Sequence, residues 1–529
     1  MLPEEISIVK KYLTLIMIIA AFLLPACQSL TPTAASISII IVHDSQSEKA
    51  TVPQGSTIKQ ALALVNLTLG SLDRTEPDVD EIVTPGETIK VIRVKEDYVV
   101  QEKTLPFDSQ TVKNESLPAG QTLLIQAGIN GVESDTYRVV SEDGVETSRT
   151  VVKTEITTPA QSQIVMLGIQ SPFKSVPIEG VLAYISSSNA WIMESNTGNR
   201  REVVTTGDLD GRIFTLSPDG KWLLYSRSAD SQDKDIINSL WVVNLEDTKA
   251  TPVSLGIDNV VHYAEWIPGK EMTIAYSTVE PRSTAPGWQA NNDLRTLNFD
   301  ATGKQITAKT VIDTNSGGIY GWWGTIYAWA PDSSEIAYAR PDSVGLVDAK
   351  AGQLNPIVEF TPYQTQGDWA WVPGMSWNPA GHEVLFAVLP TEDPSNSANS
   401  FELDATLVGS GGQISLQANT GMFSYPSTAP ADAQGRYQVA YLTATLPEQS
   451  DTSRYELRVM DRDGSNMKKL YPDEGVQGLD PQQVVWSPDT ANLQIAFVAQ
   501  GNLMFVDPNS GNVQQITGDG SVSNIDWKK

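Results

Sequence analysis

The chain has 529 residues, with 36 Lys and Arg against 63 Asp and Glu, and a formal net charge of −27. That length predicts several domains, and so acidic a chain lacks the basic footprint that sequence-independent binding to nucleic acid needs. One Cys excludes an internal disulfide, and three His leave little material for a His-based metal or catalytic cluster.

Lys10 and Lys11 precede an apolar run from Tyr12 to Leu24. At about 13 residues it is too short to span a bilayer comfortably and suits the core of a signal peptide. It ends in Leu24-Pro25-Ala26-Cys27. This ending resembles the bacterial lipobox, with Pro25 as a departure from the usual pattern. The resemblance implies a signal peptide over residues 1–26, cleavage before Cys27, a diacylglyceryl thioether on Cys27 and acylation of its new amine. Each buried CH₂ contributes about 0.8 kcal/mol, so two or three chains would hold the protein to a bacterial membrane, at the cell surface or in the periplasm. Residues 27–36 read as a tether of small residues with Pro32.

Residues 37–94 read as a small β-rich unit. Ile37 to Val42 forms a strand and Lys49 to Val52 its hairpin partner; Thr88 to Val94 closes the sheet. Between them Ser56 is placed to cap a helix through Val65, with Ile58, Leu62 and Val65 on one face. With Asn66-Leu67-Thr68-Leu69-Gly70 and Leu72-Asp73, the segment resembles a ubiquitin-like (β-grasp) domain of unknown function that precedes other modules in cell-wall-active proteins. A spacer role is expected.

Residues 95–169 carry five spaced glycines, Gly120, Gly128, Gly131, Gly144 and Gly168. Asn130-Gly131 and Asp143-Gly144 are hairpin-turn pairs, and alternation in 136–140 and 149–156 predicts thin antiparallel sheets. This region resembles the five-glycine (G5) domain. The resemblance implies an extracellular module that either binds glycan, N-acetylglucosamine being the sugar suggested for the family, or acts as a stalk. The glycines themselves are backbone devices and do not decide between the two. Residues 170–179 form a short linker.

Over residues 180–529 one phrase recurs. Leu216-Ser217-Pro218-Asp219, Trp266-Ile267-Pro268, Trp329-Ala330-Pro331-Asp332, Trp377-Asn378-Pro379 and Trp486-Ser487-Pro488-Asp489 each end one apolar run and precede another. A worn copy is placed at Ser424-Tyr425-Pro426. Pro presets φ for the turn and Asp tolerates the conformation after it. Third strands such as Leu240-Trp241-Val242-Val243 and fourth strands such as 513–517 follow, giving four short strands per repeat. The chain ends on Ile525-Asp526-Trp527, a lone first strand; 181–185, 190–193 and 201–204 supply three more. The expectation is a mainly all-β chain ending in a seven-bladed β-propeller with a strand-exchange closing blade, which resembles the TolB-like, WD-forty-like repeat. Such folds host many activities.

No Gly-x-Ser-x-Gly elbow, phosphate-binding loop, His-Glu-x-x-His or paired-Cys motif is present. Asp461-Arg462-Asp463-Gly464 has Pro472 where a calcium loop needs its last carboxylate. No catalytic residue, metal or cofactor is therefore expected. The reading is a non-catalytic envelope lipoprotein that binds peptidoglycan or another glycan, or a surface protein. The alternatives are a propeller-type hydrolase acting on sugars or peptides, and a structural assembly factor. Candidate binding residues lie in long loops and crossovers on one face: Trp288 in 278–293, Trp322 and Trp323 in 314–325, Trp369 and Trp371 in 362–374. They are expected either to form an exposed aromatic rim or to fold inward and plug the channel.

Overall fold

The computed structural model describes residues 35–529 except 115–116, 170–172, 230–234, 319–320, 364, 366–368 and 392–399. The expected signal peptide, Cys27 and most of the expected tether lie outside the described residues. So do parts of the loops 228–237 and 389–402 and of the linker. The described chain is predominantly β-structure and divides into two compact units. One unit holds the residues up to Leu105 with Gly131–Pro159, the other Pro106–Asn130 with Ala160–Lys529.

In the first unit, strands Ser36–His43 and Gln46–Pro53 form a hairpin. Its turn residues Asp44 and Ser45 sit at φ 47° and 61°, the mirror-image turn that matches strand twist. Ser36–His43 also pairs in parallel with Thr88–Ile92, which pairs with Arg74–Glu76. Alternate residues Ile37, Ile39 and Ile41 face inward onto Ile58, Ala61 and Leu62 of the one α-helix among the described residues, Ile58–Leu64. The helix begins one residue later than expected. Thr57 is the cap: its hydroxyl accepts from the Gln60 amide while the Gln60 side chain accepts from the Thr57 amide, a reciprocal capping box. Ser56 instead donates to the Pro53 carbonyl at 2.8 Å, and Val65 ends the helix.

The same unit carries a three-stranded sheet of Val94–Leu105, Gly131–Glu142 and Val145–Thr158. Val139 is its only buried apolar side chain among the described residues. A single layer with water on both faces explains why neighbours Tyr98, Val99 and Val100 are all exposed. Asp143-Gly144 makes the expected hairpin turn between Glu142 and Val145. Asn130-Gly131 does not. Gly131 opens a strand paired with Leu105, and the Asn130 side chain accepts from the Phe107 amide at 3.1 Å. The Asn side chain is spent on a distant backbone group rather than on a local turn.

The second unit begins with a small sheet in which Gln163–Gly168 lies between Ser109–Asn114 and Thr122–Gln126. Two glycines are there for close approach: a Cβ on Gly128 would lie 2.2 Å from the Phe107 ring, and one on Gly168 2.2 Å from the Pro118 carbonyl oxygen.

Among the described residues, seven consecutive sheets and one two-stranded hairpin inserted in the second of them make up the rest of the unit. Six have four antiparallel strands in sequential order, for example Leu209–Leu216, Trp222–Ser228, Asn238–Asn244 and Val253–Asp258. The seventh joins both ends of this region: Val522–Lys528 pairs with Pro177–Ser186, which pairs with Asn189–Val204. This last sheet has three strands where four were expected, because 190–193 and 201–204 belong to one continuous strand. Contacts run from each first strand to the next, through Val485–Trp486 to Val522–Lys528 and on to Leu209–Leu216. The contact between Ala264–Trp266 and Ile326–Trp329 includes a hydrogen bond from the Trp329 amide to the Glu265 carboxylate.

Register shows what the repeated Trp does. Trp266, Trp329, Trp377 and Trp486 pair with Ile274, Ile336, Leu385 and Ile495. The indole N–H of Trp266 reaches the Thr215 carbonyl in the preceding sheet at 3.2 Å; Trp377 reaches Ala328 at 2.9 Å and Trp486 reaches Ser427 at 3.0 Å. In the fifth copy the residue in this register is Thr428, which pairs with Val439 and donates to the Trp377 carbonyl at 2.8 Å. The worn copy is therefore Thr428-Ala429-Pro430, not Ser424-Tyr425-Pro426. A two-residue strand leaves too little apolar pattern to fix the frame, and the nearer aromatic-Pro pair misleads.

Candidate binding site

The five tryptophans do not form one exposed rim. Trp288 is 9% exposed and Trp371 2%, whereas Trp322 is 43% exposed; Trp323 and Trp369 are half-buried. The loop holding Trp288 is itself a hairpin, Val279–Pro281 with Trp288–Ala290. Trp288 stacks on His262 at 5.9 Å and meets the edge of Trp323 at 5.8 Å. His262 is enclosed between that ring and Gly324, where a Cβ would come within 2.6 Å of the imidazole. Burial pulls its pKa down to about 4, so it is neutral. Trp371 packs on Phe401 at 4.8 Å and donates its indole N–H to the Met422 carbonyl. Trp288 and Trp371 are thus packing residues and not exposed platforms: large rings in long loops found apolar partners within their own repeats.

Trp369 has a different setting. It stacks on Phe423 at 6.0 Å and 23°, and Phe423 stacks on Tyr425 at 6.0 Å and 20°. This three-ring row walls a cavity of about 380 Å³ whose other lining includes Met375, Gln483 and Glu265. A second cavity of about 640 Å³ is lined by first-strand residues including Thr215, Ser427, Val485 and Asp526, and again by Gln483 and Glu265. The two cavities have those lining residues in common and together are termed the channel.

The channel residues follow from strand periodicity. The residue before the repeated Trp position lies on the opposite face of its strand from the Trp. In the seven copies it is Thr215, Glu265, Ala328, Ser376, Ser427, Val485 and Asp526. Two are carboxylates. Asp526 is fully engaged, by the Thr215 hydroxyl, the Leu216 and Trp527 amides and the Lys528 ammonium. Glu265 is engaged at one oxygen only: Oε1 accepts from the Trp329 amide and the Tyr263 hydroxyl, each at 2.9 Å. Oε2 takes no hydrogen bond from a described residue. Burial pushes the Glu265 pKa up to about 7, with the two hydrogen bonds and Lys528 opposing. Sequence reading missed Glu265, although aligning the repeats on Trp would have exposed it as a charge among small or apolar side chains. Among the described residues, no group of three or more His, Cys, Asp or Glu is arranged to hold a metal ion.

Residues 96–170 match the G5 domain family. Resuscitation-promoting factor Rpf2 of Corynebacterium glutamicum is 26% identical over 166 residues, 30% of this chain and 42% of the relative. Resuscitation-promoting factor RpfB of Mycolicibacterium smegmatis is 22% identical over 132 residues, 24% of this chain and 36% of the relative. The chain thus spans less than half the length of these curated relatives. Among solved structures, the periplasmic gluconolactonase PpgL of Pseudomonas aeruginosa is 14% identical, covers 65% of this chain and 97% of that one, and has a TM-score of 0.41. An IgA1 protease G5 domain is 24% identical, covers 15% of this chain and 94% of that one, and has a TM-score of 0.13. The chain is a β-rich protein with a G5 domain and propeller-like structural neighbours.

Proposed function

We propose that this is a non-catalytic envelope lipoprotein in which the G5 domain binds cell-wall glycan and the seven sheets form a TolB-like propeller that binds a second ligand, protein or glycan. The G5 match over residues 96–170 carries the reading, and the weak likeness to two resuscitation-promoting factors agrees with an envelope location. The seven-bladed arrangement, closed by strand exchange, rests on the pairing of Leu182 with Trp527 and Ala183 with Asp526. A ubiquitin-like first module rests on the hairpin, helix and central parallel strand pair of residues 36–92. Attachment to the membrane rests on the lipobox ending at Cys27. The test is co-sedimentation of the full chain, held in detergent, with purified peptidoglycan. Exposed Tyr98 on the single-layer sheet is the first contact to remove: Tyr98→Ala is expected to lower the bound fraction several-fold. Wild-type protein that stays in the supernatant would refute glycan binding.

Glu265 favours one second reading. An acid with a pKa near 7 in a channel suits proton transfer, as a hydrolase of sugars or peptides would require. Release of reducing ends or free amines from envelope glycopeptides, abolished in Glu265→Gln, would replace the binding reading.

A further inference from the structure

We propose that the aromatic end of the channel binds an alkylammonium group, with its charge met by the uncommitted oxygen of Glu265 and its carbon atoms laid on the Trp369–Phe423–Tyr425 row. The inference rests on the reading of the seven sheets as a binding module and names the chemistry of its ligand.

Four observations converge on this group. The cavity of about 380 Å³ falls within the size of small-ligand sites. Its wall carries three aromatic rings in mutual contact, which accept an alkyl stem and attract a cation wherever a ring face is open to it. Tyr425 is held there with some strain: its φ of 41° is costly for a bulky side chain, and Gly374 leaves room for its ring where a Cβ would lie 2.9 Å away. At the floor, Glu265 has one oxygen pinned by two donors and the other without a described donor.

The alternatives fit less well. A carboxylate floor in a chain of net charge −27 repels anions and concentrates cations. A neutral sugar carries a hydroxyl on most of its carbons, and each needs a partner when buried. Apart from Glu265 and Gln483 the lining is mostly apolar, including Ile326, Val372, Pro373 and Met375. An ammonium on an alkyl stem, or a methylated ammonium, asks only for one carboxylate and ring faces.

Such a site is sensitive to pH. Burial holds the Glu265 pKa at about 7, and a bound cation favours the ionised form. Binding therefore expels a proton below neutral pH, and affinity rises from pH 6 to pH 8. The groups that act on Glu265 are the Tyr263 hydroxyl, two residues before it in the chain, the Trp329 amide from the next sheet and the Lys528 ammonium, which also pairs with Asp526; Tyr327 packs against Tyr263 at 5.3 Å.

The test uses the full chain in detergent micelles and three probes: Nα-acetyl-lysine methylamide, the same compound acetylated on Nζ, and tetramethylammonium. Saturation-transfer NMR and calorimetry are expected to show binding of the lysine compound and of tetramethylammonium but not of the Nζ-acetylated form. Affinity is expected to rise about tenfold between pH 6 and pH 8. Glu265→Gln should weaken it about tenfold at pH 8 and abolish the pH dependence, and Trp369→Ala should weaken it several-fold at every pH. If Glu265→Gln does not fold, Trp369→Ala, Gln483→Ala and the Nζ-acetylated probe decide. Equal binding of the Nζ-acetylated probe, unchanged affinity in a folded Glu265→Gln, or no binding of either amine at millimolar concentration would overturn the proposal. Peptidoglycan co-sedimentation of the same variants is expected to be unchanged, so a failure here is distinguishable from a failure of glycan binding.

Discussion

Trp377 and Trp486 each spend their indole N–H on a carbonyl of the preceding sheet, at 2.9 and 3.0 Å, while the ring stays buried. A net hydrogen bond of this kind contributes about 1 kcal/mol. Trp377→Phe should therefore lose about 1 kcal/mol for the bond and somewhat more for the smaller ring, read as a shift in the denaturant midpoint. Trp329 is the exception: its indole N–H makes no bond to a carbonyl of the preceding sheet and lies instead near the Tyr263 hydroxyl, so Trp329→Phe should cost less than Trp377→Phe. Equal losses would show that packing alone holds the sheets together. Glu265 works in the opposite direction. Its folded pKa lies near 7 against an ordinary 4.5 because burial disfavours the charge. Between those values the folded state binds more protons than the unfolded one, so stability falls as pH rises through that window, and the loss is complete above it. Glu265→Gln should remove this component. The gap in melting temperature between variant and wild type is expected to widen in favour of the variant from pH 5 to pH 8, and a constant gap would contradict the burial of this carboxyl.

Strands as elements were legible where turn chemistry and apolar alternation agreed. The hairpin turn at Asp143-Gly144 and the four-strand rhythm of six repeats came from local sterics alone. Elements failed where a side chain bonded something distant, as Asn130 does with the Phe107 amide, or where two adjacent hydroxyls competed for one role, as Thr57 took the helix cap and Ser56 bonded Pro53. The C-terminal strand Val522–Lys528 has no sequence neighbour to pair with and takes Pro177–Ser186 instead. Its Trp527 is 3% exposed, stacks on Phe505 at 5.0 Å and donates to the Glu179 carbonyl at 2.8 Å. Deleting residues 522–529 strips two sheets of apolar cover and leaves unpaired edges. The truncated chain should aggregate or lose cooperative unfolding, and a melt like that of the full chain would remove this pairing from the account.

For the whole molecule, the G5 match and the weak likeness to two resuscitation-promoting factors agree with an extracellular or envelope location, and the proposed lipid anchor has its own test. Cys27→Ser should abolish incorporation of a clickable fatty acid and release the protein from the membrane fraction. Equal labelling of variant and wild type would end the anchoring proposal. The two candidate sites also separate at this scale. Tyr98 lies on a single-layer sheet of one compact unit, Glu265 and Trp369 in the other, so substitutions at one are expected to leave the ligand of the other unaffected.

From sequence alone, the repeat, its turns, the pairing of the two ends and the five-glycine region could be read, because each depends on residues close together or on a pattern repeated often enough to outvote local noise. Tertiary structure decided which tryptophans are walls and which are surface, and which carboxylate is left with an uncommitted oxygen. Glu265, Trp369, Phe423 and Gln483 belong to separate stretches of the chain, and no local pattern relates them. Glu265 lies in a first strand, whereas Trp369, Phe423 and Gln483 lie in the connections that precede other first strands; they meet at one cavity only through the packing of successive sheets.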